Sequence, residues 1–479
     1  MMNFIAHNMA PLMFVGLIFF MIYGYHAAFS LAAVGLSFGL LGIELGLIQP
    51  DFLGNISFQL EAIFRNDLLL AIPFFTLMGS ILERSGLAED LLESFGQLFG
   101  GVRGGLSYAV ILVGAVLGAI TGTVAASVIA MGLISLPIML RYGYDVRHAT
   151  GVIAASGTIT QLIPPALVLV VLADQMGVDV GQMYLGAMGP SFVQVLLFMA
   201  WVFILSILRP EQMPALPLEA RTLHGWALAK RCIKGMVPSL ALIFIVLGTI
   251  FMGLATATEA GAMGVIGAFI LAKLNGKLNW QITYHGMKTT MRITAMVVLI
   301  LIGSRVFSLV FQGVGGKEWI ESFLTALPGG QLGFLIFVNL FVFVIAFFLD
   351  FFEIAFIIVP LLVPAAHALG INLVWLGVLL GANIQTSFMH PPFGFALFYL
   401  RGIAPPTVKS SDIYWGAIPW VILQLMLVAI LILFPQIVTF ALDKEIVLDP
   451  NFKIIVPQQA APLDPSAPVI NLDEAPVIK

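Results

Sequence analysis

SFMHPPFGFALFYL, residues 387–400, places two adjacent prolines inside a long hydrophobic segment. A proline in a helix interior lacks the N–H group that the helix needs, and its ring clashes with the carbonyl four residues earlier. The segment therefore predicts a helix that is interrupted at Pro391 and Pro392. TITQLIPPALVLV, residues 158–170, has the same pattern at Pro164 and Pro165, so the sequence predicts two broken helices.

The composition decides the class of protein around these breaks. The chain has 479 residues, of which 60% are hydrophobic and 10% are charged, and its mean hydropathy is +1.05. Soluble domains contain roughly 25% charged residues, so a water-soluble globular protein is excluded. Apolar runs recur along most of the chain, each near the ~20 residues that cross a bilayer. The sequence predicts an all-α polytopic membrane protein.

Ten apolar runs predict full membrane spans, near residues 11–29, 31–50, 67–84, 147–174, 184–208, 238–254, 258–273, 293–312, 372–400 and 413–440. Two more runs, 104–140 and 330–369, do not fit single spans. A helix over the uncharged residues 104–140 would be about 56 Å long, against a hydrocarbon core of roughly 30 Å. GAITGTVAAS (118–127) and FLDFFE (348–353) interrupt the two runs. Both are predicted to be re-entrant hairpins packed inside protein or facing water.

Basic residues predict the orientation of the chain in the membrane. With the N-terminus outside, fifteen Lys and Arg residues fall in cytoplasmic loops, and five fall outside: Arg65, Lys317, Lys444, Lys453 and Lys479. Cytoplasmic loops of membrane proteins carry an excess of basic residues. We therefore expect both termini on the outer side. No basic residue precedes Arg65, so the first hydrophobic segment is interpreted as a retained span rather than a secretory signal.

The two halves of the chain show a weak internal repeat. Pro391 and Pro392 follow Pro164 and Pro165 by 227 residues, and YWGA (414–417) follows YLGA (184–187) by 230. We predict a first repeat over 1–210, a cytoplasmic connection over 211–235, a second repeat over 236–440 and a disordered Pro/Ala/Asp-rich outer tail over 441–479. Five spans per half is an odd number, which would invert one half relative to the other. Inverted repeats with broken helices are typical of secondary transporters.

Five motifs, in this order, resemble the large membrane subunit (DctM-like) of tripartite ATP-independent periplasmic (TRAP) transporters: GAITGTVAASVIAMGLISLPIMLRYGY, GTITQLIPPA, GLATATEAGAMG, FLDFFEIAFIIVPLLVP and HPPFG. The resemblance covers about residues 10–440. It implies a bacterial inner-membrane importer of small organic acids, of the C4-dicarboxylate or 2-oxo acid type, coupled to sodium and working by an elevator-type movement. It also implies two partners, a small four-helix membrane subunit and a periplasmic substrate-binding protein. Two positions depart from the family pattern, His390 for Thr and Ala166 for Ser.

Sodium is the only metal that the sequence suggests, and a hard cation favours oxygen ligands. Hydroxyl, amide and carboxylate groups and the carbonyls of unwound backbone at the hairpin tips and helix breaks supply such oxygens. The same groups have an alternative role, which is to cap half-helices or to bond neighbouring helices. The candidates are Thr121, Gly122, Thr123, Ser127, Gly157, Thr158, Thr160, Asp350, Asn383, Gln385, Thr386, Ser387 and Gly394.

Four ionisable residues stand inside apolar runs, where such residues are functional candidates by default. Asp350 and Glu353 are predicted to bind sodium, to pair with a cation or to cap the second limb of their hairpin, and Glu353 is also a candidate substrate contact. Arg305 is predicted either to clamp a substrate carboxylate, as its two-pronged geometry allows, or to pair with an internal carboxylate. His390 is either a proton-sensitive substrate contact or a polar neighbour.

Other functions fit the sequence less well. Seven scattered histidines and one cysteine, Cys232, form no catalytic constellation, so neither an enzyme nor a cofactor is predicted. A channel would not need two broken-helix units. The alternative that remains is a stand-alone divalent-anion/sodium symporter of similar two-hairpin architecture. Nucleic acid is not an expected partner.

Overall fold

The computed structural model describes residues 2–121, 123–221, 225–392 and 394–442. In these ranges the chain is helical, with no β-strand. The first half contains α1 (Met2–His7), α2 (Met9–Ile22), α3 (Ala27–Glu44), α4 (Asn55–Phe64), α5 (Leu68–Glu83), α6 (Leu87–Phe99), α7 (Gly105–Thr121), α8 (Val124–Arg141), α9 (Val146–Thr158), α10 (Leu167–Met176) and α11 (Val180–Leu208).

The second half contains α12 (Gly225–Phe251), α13 (Ala257–Leu274), α14 (Trp280–Gly313), α15 (Gly316–Thr325), α16 (Gly330–Ile345), α17 (Phe351–Glu353), α18 (Val359–Ala368), α19 (Leu373–Ile384), α20 (Phe395–Ile403), α21 (Ser410–Leu433) and α22 (Gln436–Thr439). A π-helical turn, Ile354–Ile358, joins α17 to α18, so the backbone is helical from Phe351 to Ala368. All but the first two residues of the predicted 441–479 tail, together with Gly122, lie outside the described ranges.

Length and apolar composition make this a polytopic membrane protein, as predicted. Eight helices in the described ranges are long and apolar enough to cross a membrane, and ten are if each of two bent helix pairs counts as one span. The predicted boundary of the first span was wrong, because α2 ends at Ile22 rather than near residue 29. Gly24 turns the chain there with φ 81°, and the His26 ring accepts a hydrogen bond from the Ala28 N–H at the start of α3.

Two other spans begin earlier than predicted. α12 begins at Gly225 rather than near 238, and α14 begins at Trp280 rather than near 293. Their first turns carry basic residues, among them Lys230 and Lys288, which the prediction assigned to loops. The 34 residues of α14 extend about 51 Å at 1.5 Å per residue. Such a helix exceeds the ~30 Å hydrocarbon core, which leaves room for charged turns outside it.

The structure also contains three helices, α4, α6 and α15, that were not predicted from the sequence. In α6, Leu91, Leu92 and Phe95 are buried on one face, while Glu93 on another face pairs with Arg231 of α12 at 2.6 Å. Charges along these helices exclude them from a search for uncharged runs, and the apolar face of α6 is buried by helix packing.

The same order of elements occurs in both halves. A helical hairpin (α7–α8, then α16–α18) precedes a broken helix (α9–α10, then α19–α20), and a long helix follows (α11, then α21). Packing between the halves is crosswise, because α3 packs on α14 while α5 packs on α13, and α9 packs on α21 while α19 packs on α11.

The broken helix of the first half lies in the interior. Residues 148–158 of α9 are all buried, and glycines let the neighbouring helices approach closely. A Cβ at Gly157 would overlap the Val128 side chain of α8, and one at Gly114 of α7 would lie 2.7 Å from the Ser156 Cβ. Because interiors are close-packed, α9 is held on two sides without room for larger residues.

Candidate functional site

Both broken helices change conformation just before their double prolines. α9 tightens into a 3-10 turn, Ile159–Gln161, before Pro164 and Pro165, and α10 then begins at Leu167. α19 tightens into the 3-10 helix Gln385–Met389 before Pro391 and Pro392, and α20 begins at Phe395. Both Pro–Pro peptide bonds are cis. Each break thus ends one half-helix and starts another in the interior of the protein.

The hairpin tips place polar side chains directly before a helix. Thr123 has an extended backbone and precedes α8, and its side chain does not cap that helix. Asp350 precedes α17 and does cap it, since its carboxylate accepts from the Glu353 N–H at 3.0 Å. The Glu353 carboxylate in turn accepts from the Asp350 N–H at 3.0 Å. Of the roles considered for these carboxylates, the structure shows the reciprocal cap.

A cavity of about 310 Å³ lies between these tips and the breaks. Both halves of the chain contribute to its wall. The lining residues are Thr123, Val124, Ala125, Gln161, Leu167, Val168, Ile293, Met296, Asp350, Phe351, Phe352, Phe388, Phe395 and Tyr399.

Equivalent positions of the two halves face each other across this cavity. Residues 123, 124, 125, 161 and 168 line it, and so do residues 350, 351, 352, 388 and 395, each 227 positions later. This is the offset that separates the two double prolines. The cavity therefore lies where the two halves meet, and much of its wall consists of pairs of residues related by the repeat offset.

Four helices begin at the cavity wall. Val124, Leu167, Phe351 and Phe395 are the first residues of α8, α10, α17 and α20, and all four line the cavity. The residues before three of these helices, Thr123, Ala166 and Gly394, provide no side-chain cap. Unpaired N–H groups and the positive end of the helix dipole make a helix N-terminus attractive to anions.

The side chains around the cavity carry little charge themselves. Asp350 is the one acidic group among the described lining residues, and none of those residues is basic. Thr123, Gln161 and Tyr399 add polar atoms, and the rest of the wall is apolar. A negatively charged ligand in this cavity would therefore contact helix N-termini and a carboxylate rather than an arginine or a lysine.

The oxygen candidates Thr158 and Thr160 of the first half are buried at its break. The Thr158 hydroxyl donates to the Ala155 carbonyl at 2.8 Å, and the Thr160 hydroxyl donates to the Gly157 carbonyl at 3.0 Å. Ser127 lies buried within α8, and Thr121 ends α7. The Thr158 and Thr160 hydroxyls bond back to the preceding helical turn, which is the alternative role considered for them.

In the second half, the candidates Asn383, Gln385, Thr386 and Ser387 are buried around the end of α19. The Asn383 amide donates to the carbonyl and to the side-chain oxygen of Asn339, at 2.7 and 3.0 Å. The Thr386 hydroxyl is buried without a hydrogen-bond partner in the described part of the chain. The N–H of Gly394 donates to the His390 carbonyl at 2.6 Å and closes the turn before α20.

Two glutamines form hydrogen bonds with these candidates, and neither was predicted from the sequence. Gln194 of α11 pairs with Gln385, and Gln424 of α21 donates to the Thr158 hydroxyl at 2.8 Å. The two glutamines are 230 residues apart, the offset that separates YLGA from YWGA. The repeat offset therefore relates the two glutamines to each other. A single uncharged polar residue in an apolar helix does not by itself indicate a functional site.

The substrate candidates do not meet in the cavity. Arg305 is half-buried on α14 and does not line it, and within the described ranges it forms no ion pair with Asp350, Glu353 or Glu44. His390 is buried against the rings of Phe343 and Phe347, with centroids 4.5 and 4.0 Å away. Its ring nitrogens have no hydrogen-bond partner among the described residues.

The sequence and the fold are both similar to those of known transporters. A family model described as "Tripartite ATP-independent periplasmic transporter, DctM component" matches residues 14–437. The C4-dicarboxylate TRAP transporter large permease protein DctM of Pseudomonas aeruginosa is 27% identical over 84% of this chain and 92% of its own. The ectoine TRAP transporter large permease protein TeaC of Halomonas elongata is 27% identical over 87% of this chain and 94% of its own.

One solved structure supports the fold. The YdaH transporter of Alcanivorax borkumensis, whose crystal structure is described as revealing an unusual topology, superposes with a TM-score of 0.57 at 15% sequence identity. The match covers 81% of this chain and 87% of that one. At this identity the similarity concerns the architecture of a polytopic helical membrane protein.

Proposed function

This chain belongs to the DctM component family of tripartite ATP-independent periplasmic transporters, whose members are permeases rather than enzymes, and from that premise we propose that it carries a small organic anion across the membrane together with sodium ions. We propose that the cavity between the hairpin tips and the helix breaks is the substrate-binding site. The volume of about 310 Å³ is at the lower end of the range for small-molecule pockets.

The convergence of four helix N-termini is the observation that supports an anionic substrate. α8, α10, α17 and α20 all begin at the cavity wall, and three of them have no side-chain cap. Their N–H groups would bind the carboxylates of a C4-dicarboxylate or a 2-oxo acid. Relatives are named for C4-dicarboxylate and for ectoine, so the choice of organic acid is part of the proposal.

Sodium coupling follows from the charge of the same cavity. The Asp350 carboxylate would repel a substrate carboxylate in a poorly hydrated site. A sodium ion bound near Asp350, or by the oxygens at the two breaks, would offset that repulsion and so favour binding of ion and substrate together. The interrupted backbone at the breaks and the buried hydroxyl of Thr386 offer the oxygen ligands that hard cations prefer.

The position of the cavity also suggests how the bound substrate would cross the membrane. Ile293 and Met296 of α14 form one part of its wall, and the hairpins and broken helices form the rest. We infer an elevator-type movement in which the hairpins and broken helices slide against α14 and its neighbours. The proposed setting is the bacterial inner membrane with both termini periplasmic, and the proposed partners are a small four-helix membrane subunit and a periplasmic substrate-binding protein.

The test is uptake into proteoliposomes that contain this chain and its small subunit, with the cognate binding protein added outside, across a panel of radiolabelled organic acids. Uptake should require sodium outside, should fail with choline in its place, and should compete with short dicarboxylates or 2-oxo acids. Thr123→Val, which removes a cavity hydroxyl, should raise the KM for substrate or sodium. The matched Thr283→Val, on an exposed turn of α14, should not. Equal uptake in choline would contradict sodium coupling.

A stand-alone symporter is the second candidate, because the two-hairpin architecture does not itself require a receptor. Uptake that is independent of the binding protein and of the small subunit would favour it.

A further inference from the structure

Two glutamines connect the helix breaks crosswise between the halves. Gln194 donates from Nε2 to the Gln385 Oε1 at 2.8 Å, and Gln385 donates from Nε2 back to the Gln194 Oε1 at 3.2 Å. Both side chains are completely buried. This closed pair of amide bonds fixes the orientation of both side chains, and it joins α11 of the first half to the break of the second.

The equivalent contact runs in the opposite direction. Gln424 of the second half donates from Nε2 to the Thr158 hydroxyl of the first half at 2.8 Å. Gln385 follows Thr158 by 227 residues and Gln424 follows Gln194 by 230, the two offsets of the sequence repeat. The two contacts therefore occupy equivalent places, although one uses an amide acceptor and the other a hydroxyl.

Both contacts lie where a helix stops being regular. Thr158 is the last residue of α9 before the 3-10 turn, and Gln385 is the first residue of the 3-10 helix after α19. Carbonyls at a helix end lack the amide partners that a continuing helix would provide. Their direction depends on how the last turn is held.

We propose that Gln194 and Gln424 are positioning residues for the sodium ions, each holding the turn before the break of the other half so that its oxygens are oriented for the ion. The role rests on the sodium coupling proposed above. Outer partners of this kind orient metal ligands, and their loss typically weakens metal binding 10–100-fold.

Burial explains why glutamine is needed for this task. A buried amide without a partner is costly, whereas an apolar side chain of similar length would pack here without that cost. The Gln194 and Gln385 amides are fully enclosed and bond to each other, and the Gln424 amide donates to Thr158 while its own oxygen is buried without a partner among the described residues. These contacts suit a role in orientation. The crosswise arrangement also couples the two breaks, so that neither can turn independently of the long helix of the other half.

The experiment measures sodium binding without transport. Full-length wild type, Gln194→Met and Gln424→Met are purified in detergent and titrated with sodium chloride at constant ionic strength, with choline chloride as the balance. Thermal unfolding is recorded at each step. Methionine keeps the length of the side chain and removes the amide. The sodium concentration at half-maximal stabilisation should rise about tenfold in each variant.

Gln331→Met is the matched control, because it removes one amide hydrogen bond, to the Leu369 carbonyl, at an exposed site away from the breaks. It should leave the sodium midpoint unchanged. If the methionine variants do not fold, Gln194→Asn and Gln424→Asn, which keep the amide but shorten its reach, should show the same shift.

Two results would overturn the role, and they are distinguishable. Variants that unfold earlier in choline but keep the wild-type sodium midpoint would show that the glutamines only stabilise the fold, and sodium coupling would stand. A wild type with no sodium-specific stabilisation would remove sodium coupling and this role together.

Discussion

Thr123 and Asp350 occupy the same position in the two hairpins, 227 residues apart, and both line one cavity. Each directly precedes the first residue of a helix, Val124 or Phe351. Only Asp350 caps its helix with its side chain. The site is thus symmetric in backbone but asymmetric in charge, which gives the second hairpin the dominant part in the proposed binding of a cation.

Asp350→Asn should weaken sodium activation of transport more than it weakens folding. Asparagine is a good N-cap residue and keeps the shape of the side chain, but it removes the negative charge. We expect the sodium concentration for half-maximal uptake to rise about tenfold while the melting temperature changes little.

Asp350→Ala is the companion variant, because it removes both the charge and the cap. It should lose about 1 kcal/mol of stability in addition. Unchanged sodium activation in Asp350→Asn would place the ion elsewhere.

Arg305→Lys should retain most of the transport activity. Arg305 does not line the cavity and has no carboxylate partner among the described residues, so the two-pronged geometry that lysine lacks is not used in this conformation. Uptake of the radiolabelled substrate at saturating sodium measures the effect. A loss greater than tenfold, with normal expression, would show that Arg305 meets the substrate in another state.

Gly157→Ala should destabilise the chain, because the added methyl group overlaps the Val128 side chain of the packed helix α8. Overpacking of this kind costs about 1–3 kcal/mol. Gly248→Ala, in α12, is the control, since nothing lies within 4 Å of its added Cβ and alanine favours a helix by about 0.5–1 kcal/mol. Thermal unfolding of the isolated chain in detergent should separate the two in opposite directions.

Hydropathy predicted the long helices because a lipid-facing helix must be apolar along its whole length. It missed α6 and α15, whose charged faces break the apolar runs, and it shortened α14 for the same reason. The prolines predicted both breaks, since a ring without an N–H has local consequences that no packing removes.

The cavity was less accessible to sequence reasoning. Its four helix N-termini are far apart in sequence, and only the folded chain brings Val124 and Phe351 to the same cavity. The repeat offset did connect Thr123 with Asp350, because equivalent positions of two interlocking halves meet at their interface. Gln194 and Gln424 were not predicted, because each is a single polar residue whose hydrogen-bond partner is distant in sequence and is identified only in the folded chain.

Transport should depend on both partner subunits. Uptake by this chain alone in proteoliposomes should stay near background and should rise when the small membrane subunit and the cognate binding protein are added. Binding protein from an unrelated transporter serves as the control for nonspecific stimulation. Full activity of the isolated chain would favour the symporter alternative.

The opposite orientation of the two hairpins can be tested by cysteine labelling. Cys232 is the one cysteine of the chain, so Cys232→Ser provides a background for single-cysteine labelling. Single cysteines at Val102 and Tyr142 flank the first hairpin, and single cysteines at Glu318 and Ala368 flank the second. Val102, Glu318 and Ala368 are exposed and Tyr142 is partly so, so an impermeant thiol reagent can reach them from one side.

If the halves are inverted, the cysteines at Glu318 and Ala368 should react in intact spheroplasts, and those at Val102 and Tyr142 only in inverted vesicles. This result follows from the positive-inside distribution, which assigns the start of α7 and the end of α8 to the cytoplasm. Labelling after solubilisation in detergent controls for intrinsic reactivity. Reaction of both pairs from the same face would contradict the inverted repeat. It would also remove the elevator-type movement, because that movement needs one hairpin to open toward each side of the membrane.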